Sequence, residues 1–163
     1  MTTMTPIANT VADPGLRNFK GTLVSLRLSA TESADGISII EHHMPFGEAP
    51  PLHIHRTEDE VFHIVRGSMR FEIGGKTVIG QGGDVVCAPK GVPHRFIVES
   101  TDGVHCFTIT RGKDFETMVM EMSSSAGAGE QPRLVAPTPQ MIEELALACS
   151  RNGIDIIGAP LSL

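Results

Sequence analysis

Fold and chemistry are both indicated by one stretch, Gly47-Glu-Ala-Pro-Pro-Leu-His-Ile-His-Arg-Thr-Glu-Asp-Glu-Val-Phe-His-Ile-Val-Arg-Gly67. It places His53 and His55 two residues apart and follows them with the carboxylate of Glu60. Because side chains alternate across a strand, the two imidazoles should point the same way. A second stretch, from Gly83 onward, adds His94 directly after a proline–glycine turn.

Together the two stretches offer a set of metal ligands. Three neutral imidazoles and one carboxylate suit a divalent transition metal. We therefore expect one such ion per chain, held by His53, His55, Glu60 and His94, with iron, manganese, nickel, cobalt and zinc as candidates. The function is expected to begin with that bound metal.

Length and composition restrict the class of protein. A chain of 163 residues is long enough for one domain with a hydrophobic core. Its formal net charge of −6 argues against nucleic acid as a partner, since sequence-independent binding needs clustered lysine and arginine. No apolar run approaches the roughly 20 residues that span a bilayer, and no signal peptide is evident at the start. We expect no membrane partner.

Cysteine usage indicates the compartment. Cys87, Cys106 and Cys149 are scattered and contain no CxxC pair, which fits reduced thiols better than a disulfide framework. Each is flanked by apolar residues and is expected to fill the core. These features favour a cytoplasmic protein.

Three zones are predicted along the chain. Residues 1–18 form a polar N-terminal arm, 19–112 a barrel, and 113–163 a C-terminal extension. Short alternating segments separated by Gly-rich turns are typical of an all-β sandwich or closed barrel. The predicted strands are 23–28, 36–44, 60–65, 68–73, 76–79, 84–88, 94–98 and 104–110.

The C-terminal extension contains a predicted helix over about 139–152. Thr138 can cap it, Pro139 suits its first position, and Gly153 can end it in the left-handed conformation. Its apolar stripe is expected to pack on the outside of the barrel or on a partner subunit. No chemistry is assigned to this helix.

The barrel interior should form an apolar pocket for a small organic molecule. Glu60 and His94 each begin a predicted strand, and the next residues on the same face of that strand are apolar. This pattern is expected when a metal lies at the mouth of a barrel with an apolar interior. The pocket candidates are Phe62, Met69, Phe71, Phe96 and Phe107. Because the chain has no Trp or Tyr, substrate hydroxyls must meet His, Arg, Gln or backbone groups.

The positions of the other four histidines in the predicted strands indicate which way their side chains face. His63 is out of phase with Glu60 and is expected on the exterior. His42 and His43 are adjacent and face opposite ways, so one of them can line the pocket. His105 stays open.

The two stretches resemble the two motifs of the cupin superfamily. The first motif, G-x5-HxH-x3,4-E-x6-G, is matched by Gly47, His53, His55, Glu60 and Gly67. The second, G-x5-PxG-x2-H-x3-N, is matched by Gly83, Pro89, Gly91 and His94, with Val98 in place of the final Asn. The ending from Ala148 to Leu161 is similar to small quercetin-dioxygenase-like bacterial cupins. The resemblance implies a double-stranded β-helix (a cupin or jelly-roll barrel), the same four ligands, and a homodimer.

Three functions remain open at this point. Four protein ligands on a metal that prefers six leave two positions, for a substrate oxygen and for dioxygen or water. The first hypothesis is a dioxygenase-like oxidoreductase acting on a small enolic or phenolic compound. The second is a metal-dependent isomerase, cyclase or lyase, in which Glu60 is both ligand and catalytic base. The third is a non-catalytic cupin that binds a small molecule.

Overall fold

Two antiparallel sheets and two helices form the protein in a computed structural model, which describes residues 15–163. Its elements are β1 (Arg17–Phe19), β2 (Thr22–Leu28), β3 (Ile37–Met44), β4 (Pro51–His55), β5 (Glu60–Arg66), β6 (Ser68–Ile73), β7 (Lys76–Gln81), β8 (Val85–Ala88), β9 (His94–Val98), β10 (Val104–Arg111), α1 (Asp114–Met122), β11 (Ser124–Ser125), α2 (Pro139–Arg151) and β12 (Ile154–Pro160).

The sheets face each other as the two halves of a β-helix. One has the order β11-β1-β2-β3-β10-β5-β8, and the other has the order β12-β4-β9-β6-β7. All eight predicted strands are present, with ends that differ by at most two residues. Buried and less buried residues alternate along β3 and β10, which is the period-2 pattern read from the sequence. The prediction of an all-β, double-stranded β-helix with a C-terminal helix is confirmed.

The hairpin between β6 and β7 illustrates how local sequence sets the register. Gly74 and Gly75 both have positive φ, 56° and 79°, and they connect the paired residues Ile73 and Lys76. Two such residues in a two-residue loop form the tight turn whose twist matches that of the strands. A side chain at either position would strain the turn, so the Gly-Gly pair determines which residues of β6 and β7 face inward.

A hydrophobic core lies between the sheets, and a second cluster lies under the helices. The first contains Phe62, Phe71 and Phe96, whose rings contact one another at 5.0–5.8 Å between centroids. The second joins Ile40 on β3 to Val119 on α1 and Ala148 on α2. The helices therefore cover apolar residues of the larger sheet that β6, β7 and β9 do not reach.

Helix α2 begins and ends as the sequence indicates. The Thr138 side chain accepts a hydrogen bond from the Met141 amide, and Gly153 has a φ of 72° just beyond the helix. Within residues 15–163, no helix is long and apolar enough to cross a membrane.

Three features differ from the sequence analysis or extend it. Of the predicted arm, residues 1–14 lie outside the described residues, whereas Arg17–Phe19 pair with β2 and β11. Helix α1 and strands β1, β11 and β12 were not predicted. The expectation for Cys87 is wrong, because it lies on the outer face of edge strand β8 and is exposed; Cys106 and Cys149 are buried.

Candidate metal centre and its cavity

Four side chains from three strands converge on one point. His53 and His55 come from β4, Glu60 opens β5, and His94 opens β9. The Glu60 Oε2 lies 3.0 Å from the His94 Nε2, 3.2 Å from the His55 Nε2 and 3.9 Å from the His53 Nε2. The structure thus brings together all four predicted ligands, which we call the four-residue cluster, with their ligand atoms within 4.8 Å of one another.

Backbone carbonyls orient two of the imidazoles. The Nδ1 of His53 lies 2.7 Å from the Pro51 carbonyl oxygen, and the Nδ1 of His94 lies 3.1 Å from that of Val92. Such a carbonyl is satisfied when Nδ1 carries the proton and donates to it, and in that tautomer Nε2 can bind a metal ion through its lone pair. Both Nε2 atoms face the Glu60 carboxylate at the centre of the cluster, where their lone pairs could coordinate a cation.

Burial and opposite charge determine the protonation states inside the cluster. Burial alone would raise the pKa of Glu60, but the imidazoles of His55, His53 and His94 outweigh it and hold that pKa well below its ordinary value. Burial alone would lower the pKa of His55, and the Glu60 carboxylate outweighs it and raises that pKa. Glu60 is therefore an ionised carboxylate near neutral pH.

The cluster fits a divalent transition metal on its own geometry. Neither ring nitrogen of the buried His55 makes a hydrogen bond within the described residues, although its Nε2 lies close to Glu60. A buried nitrogen without a partner is costly, and a metal ion would use its lone pair. Three imidazoles and a carboxylate, nearly all excluded from solvent, can hold one ion.

A cavity of about 770 Å³ opens beside the cluster. His53, His55 and Glu60 lie in its wall, as do two of the predicted pocket residues, Phe62 and Phe96. Most of the remaining wall is apolar and includes residues of α1, α2 and β12. The cavity thus places the candidate metal centre against a space of the size that organic ligands occupy.

The other predicted pocket residues lie elsewhere. Met69 and Phe71 are fully buried in the core between the sheets and are not part of the cavity wall. The expectation for Phe107 is wrong, since on β10 it shares the outer face with His105 and stacks on His63. Its neighbours Cys106 and Thr108 are the buried ones, because alternation along the strand turns Phe107 outward.

The remaining histidines separate by face. His63 is exposed, as its phase predicts, and His42 is the member of the adjacent pair that lines the cavity. Burial is the main reason that the pKa of His42 falls to about 4, so the ring is neutral, and its Nε2 lies 2.8 Å from the Thr108 hydroxyl. His43 and His105 stack on the outer face of the larger sheet, where the His105 Nε2 lies 2.7 Å from Glu41.

Sequence reasoning missed the helical part of the cavity wall. Phe115 and Met118 of α1, and Met141 and Leu145 of α2, line the cavity. The signal for α1 was present, since its apolar residues Phe115, Met118, Val119 and Met122 recur at the spacing of one helical face. The predicted C-terminal extension begins with this segment, but its predicted helix covers only about 139–152.

A second residue that the sequence analysis missed is Glu58, in the turn before Glu60. Its buried carboxylate accepts hydrogen bonds from the Asp114 and Phe115 amides, each at 3.0 Å, at the start of α1. Gly112 permits this approach, because a Cβ there would lie 2.5 Å from the Glu58 Oε1. Glu58 thereby ties the metal-centre loop to the helix that closes the cavity.

Comparison with known proteins agrees with this architecture. A family model described as "Cupin domain" matches residues 40–110, which include all four residues of the cluster. The structure is similar to that of KdgF from Halomonas sp., with a TM-score of 0.51 and 18% identity, covering 59% of this chain and 84% of that chain. No curated protein matches the chain in a sequence comparison.

Two further solved structures share the fold. A predicted oxalate decarboxylase from Thermotoga maritima has a TM-score of 0.52 and 22% identity, covering 55% of this chain and 79% of that chain. The Cnp3 cupin domain of Schizosaccharomyces pombe has a TM-score of 0.51 and 14% identity, covering 61% and 67%. Identities this low concern the fold alone. The fold and the cluster define a double-stranded β-helix with a candidate His/Glu metal centre. Residues 40–110 match the cupin domain, and the structure has the cupin fold.

Proposed function

We propose that this protein is a metal-dependent, dioxygenase-like cupin that acts on an organic compound carrying an enolic or phenolic oxygen. The observation that carries the proposal is the convergence of three imidazole Nε2 atoms and one ionised carboxylate at the wall of a large apolar cavity. Bound there, a divalent metal would supply Lewis-acid activation of a substrate oxygen and, where redox-active, a route to dioxygen chemistry.

The chain's own residues would perform three tasks. His53, His55, Glu60 and His94 hold the ion, and the two backbone-anchored imidazoles keep their Nε2 lone pairs directed at it. Phe62 and Phe96 exclude water from the substrate side of the centre. His42 stays neutral beside Thr108, so it adds no charge that would repel the metal.

A metal-dependent isomerase, cyclase or lyase is the second candidate, favoured by a further carboxyl group in the cavity. Glu48 lines the wall, and burial raises its pKa to about 7, near the value at which a general acid or base works best at neutral pH. Glu60 is the weaker proton acceptor, because its pKa lies well below its ordinary value. In this candidate Glu60 is chiefly a ligand.

Elemental analysis of protein purified without chelator is the first experiment. We expect about one equivalent of iron, manganese, nickel, cobalt or zinc per chain. Oxygen uptake is then measured with the metal-loaded protein on a panel of 1,3-diketones and catechols, with His94→Ala as the matched control. Uptake that depends on His94 supports the first candidate.

Solvent isotope exchange tests the second candidate. Incorporation of deuterium from D₂O into the substrate carbon, with no oxygen consumed, would favour proton transfer over dioxygenation. Binding without turnover of any compound would favour a non-catalytic small-molecule-binding cupin. Protein that is free of metal and takes up none when it is added would contradict both enzymatic candidates.

A further inference from the structure

The cavity wall contains few polar side chains beyond the four-residue cluster. Those of the described residues are Lys20, Thr22, His42, Glu48 and Thr108. His42 and Thr108 lie 2.8 Å apart and satisfy each other. The Glu48 carboxyl differs from them, because it makes no hydrogen bond or ion pair with any residue between 15 and 163.

The backbone holds Glu48 firmly in this position. Its amide donates to the Pro45 carbonyl at 3.2 Å, and its carbonyl accepts from the Val98 amide at 3.0 Å. The preceding Gly47 amide donates to the Val98 carbonyl, also at 3.0 Å. Gly47 and Glu48 are therefore hydrogen-bonded to the end of β9, the strand that begins with His94. These bonds hold the backbone from which the Glu48 side chain extends.

An unpartnered carboxyl in such surroundings is unfavourable for the protein alone. Burial raises the pKa of Glu48 to about 7, and no cation within residues 15–163 opposes that rise. Lys20 lies on the same wall but forms no ion pair with Glu48 among the described residues. Glu48 is half-buried on the cavity wall, and a polar group in apolar surroundings that lacks a partner is often one that a ligand completes.

Size and wall chemistry limit what that ligand can be. A cavity of about 770 Å³ is in the range that holds drug-sized molecules, and it is far larger than a small dicarboxylic acid requires. The rings of Phe19, Phe62, Phe96 and Phe115 lie in its wall. Aromatic rings of a ligand can make stacked or edge-to-face contacts with such side chains.

We infer that the cavity binds a multi-ring organic molecule and that Glu48 accepts a hydrogen bond from one of its hydroxyl groups. The inference rests on the proposed function, because the same molecule would present another oxygen to the four-residue cluster. Glu48 is then the residue that selects hydroxylated ligands, whichever reaction follows at the metal centre. A ligand with a carboxylate beside Glu48 would be disfavoured by charge repulsion.

Two fluorescent probes test this directly, 2-naphthol and 2-methoxynaphthalene. They share a ring system, but only the first can donate a hydrogen bond. The chain has no Trp or Tyr, so probe fluorescence is read with almost no protein background. The full chain is loaded with Zn²⁺, which cannot oxidise the probes, and the titrations are repeated on chelator-treated protein.

The wild-type protein should bind 2-naphthol with a Kd on the order of 10–100 µM. It should bind 2-methoxynaphthalene about tenfold more weakly, the effect of one hydrogen bond to a charged group. In Glu48→Met, which has no acceptor oxygen, the ratio of the Kd for 2-methoxynaphthalene to the Kd for 2-naphthol should fall to about one. Glu48→Gln keeps an acceptor and should retain a preference of a few fold. Glu143→Gln, an exposed change on α2, should leave the preference unchanged.

Each remaining outcome overturns a stated part of the inference. No binding of either probe would exclude a multi-ring ligand, and equal binding of both would exclude recognition of the hydroxyl. A preference that persists in Glu48→Met would assign recognition to another group. The probes report binding without metal or turnover, so selective binding by a protein that takes up no metal would refute the proposed function and leave this inference standing.

Discussion

At the scale of single residues, the four side chains of the cluster differ in how each is held. Backbone carbonyls orient His53 and His94, whereas neither nitrogen of His55 has a hydrogen-bond partner within residues 15–163. Glu60 is kept ionised by the imidazoles around it. This difference in support leads to the first prediction.

Replacing one imidazole should remove the metal and leave the fold intact. In His53→Ala or His94→Ala we expect metal affinity to fall by at least about tenfold, since loss of even an outer partner of a ligand costs that much. Elemental analysis after dialysis measures the loss, and far-ultraviolet circular dichroism checks the fold. His63→Ala, exposed on the opposite face of β5, is the matched control. A variant of His53 or His94 that keeps full metal would contradict the ligand assignment.

Glu48 should make stability depend on pH in an unusual direction. Its pKa is raised from 4.5 to about 7 by burial, so above pH 4.5 the unfolded chain loses this proton more readily than the folded protein. The folded state therefore loses stability as pH rises from about 4.5 to about 7, and the loss is complete above 7.

Glu48→Gln should remove that loss. At pH 8 we expect the variant to be more stable than the wild type by roughly 2–3 kcal/mol, and at pH 5 the two should nearly coincide. Thermal unfolding followed by circular dichroism at both pH values measures the difference, and Glu143→Gln is the exposed control. An equal effect at the two pH values would mean that the Glu48 carboxyl has a partner in the folded protein.

At the scale of elements, the loop before β5 and the start of α1 depend on one carboxylate. Glu58 is 2% exposed and satisfies two amides of the first turn of α1. The first four amides of a helix have no partner inside it, so this side chain replaces the missing acceptors. The contact joins the loop before Glu60, in the four-residue cluster, to the helix that carries Phe115 into the cavity wall.

Truncating Glu58 should therefore destabilise the whole protein. Glu58→Ala leaves two buried amides without acceptors, and we expect it to lower the free energy of unfolding by about 2–4 kcal/mol. Urea unfolding followed by circular dichroism gives the value. Glu144→Ala, an exposed change on α2, should cost less than about 0.5 kcal/mol. Equal costs for the two variants would show that Glu58 does not hold α1.

At the scale of the whole molecule, association between chains remains a prediction. The resemblance to small cupins implies a homodimer, so light scattering of the purified protein should give twice the 17.4 kDa mass of one chain. Dilution over two orders of magnitude in concentration distinguishes a stable dimer from a weak one. A single-chain mass at all concentrations would contradict the prediction.

Local rules were sufficient for most of the fold. Alternation of apolar residues predicted β3, β5 and β10, and Gly-rich turns predicted where the strands are separated, as between β6 and β7. A capping threonine and a terminal glycine predicted α2. Each of these depends on residues close together in the chain, so a single sequence contains the whole signal.

The members of the four-residue cluster, which could hold a metal ion, were also predictable from the sequence alone, because their spacing in two motifs is itself the signal. What it could not decide was which side chains would share the cavity. Phe107 lies outside and His42 inside, and α1, α2 and β12 complete the wall, because the helices pack across apolar residues of the larger sheet. The isolation of Glu48 is likewise a property of the tertiary structure. Whether a carboxyl forms a hydrogen bond or an ion pair depends on all the chain segments that pack against it. Those segments are distant in sequence, so no local pattern predicts them.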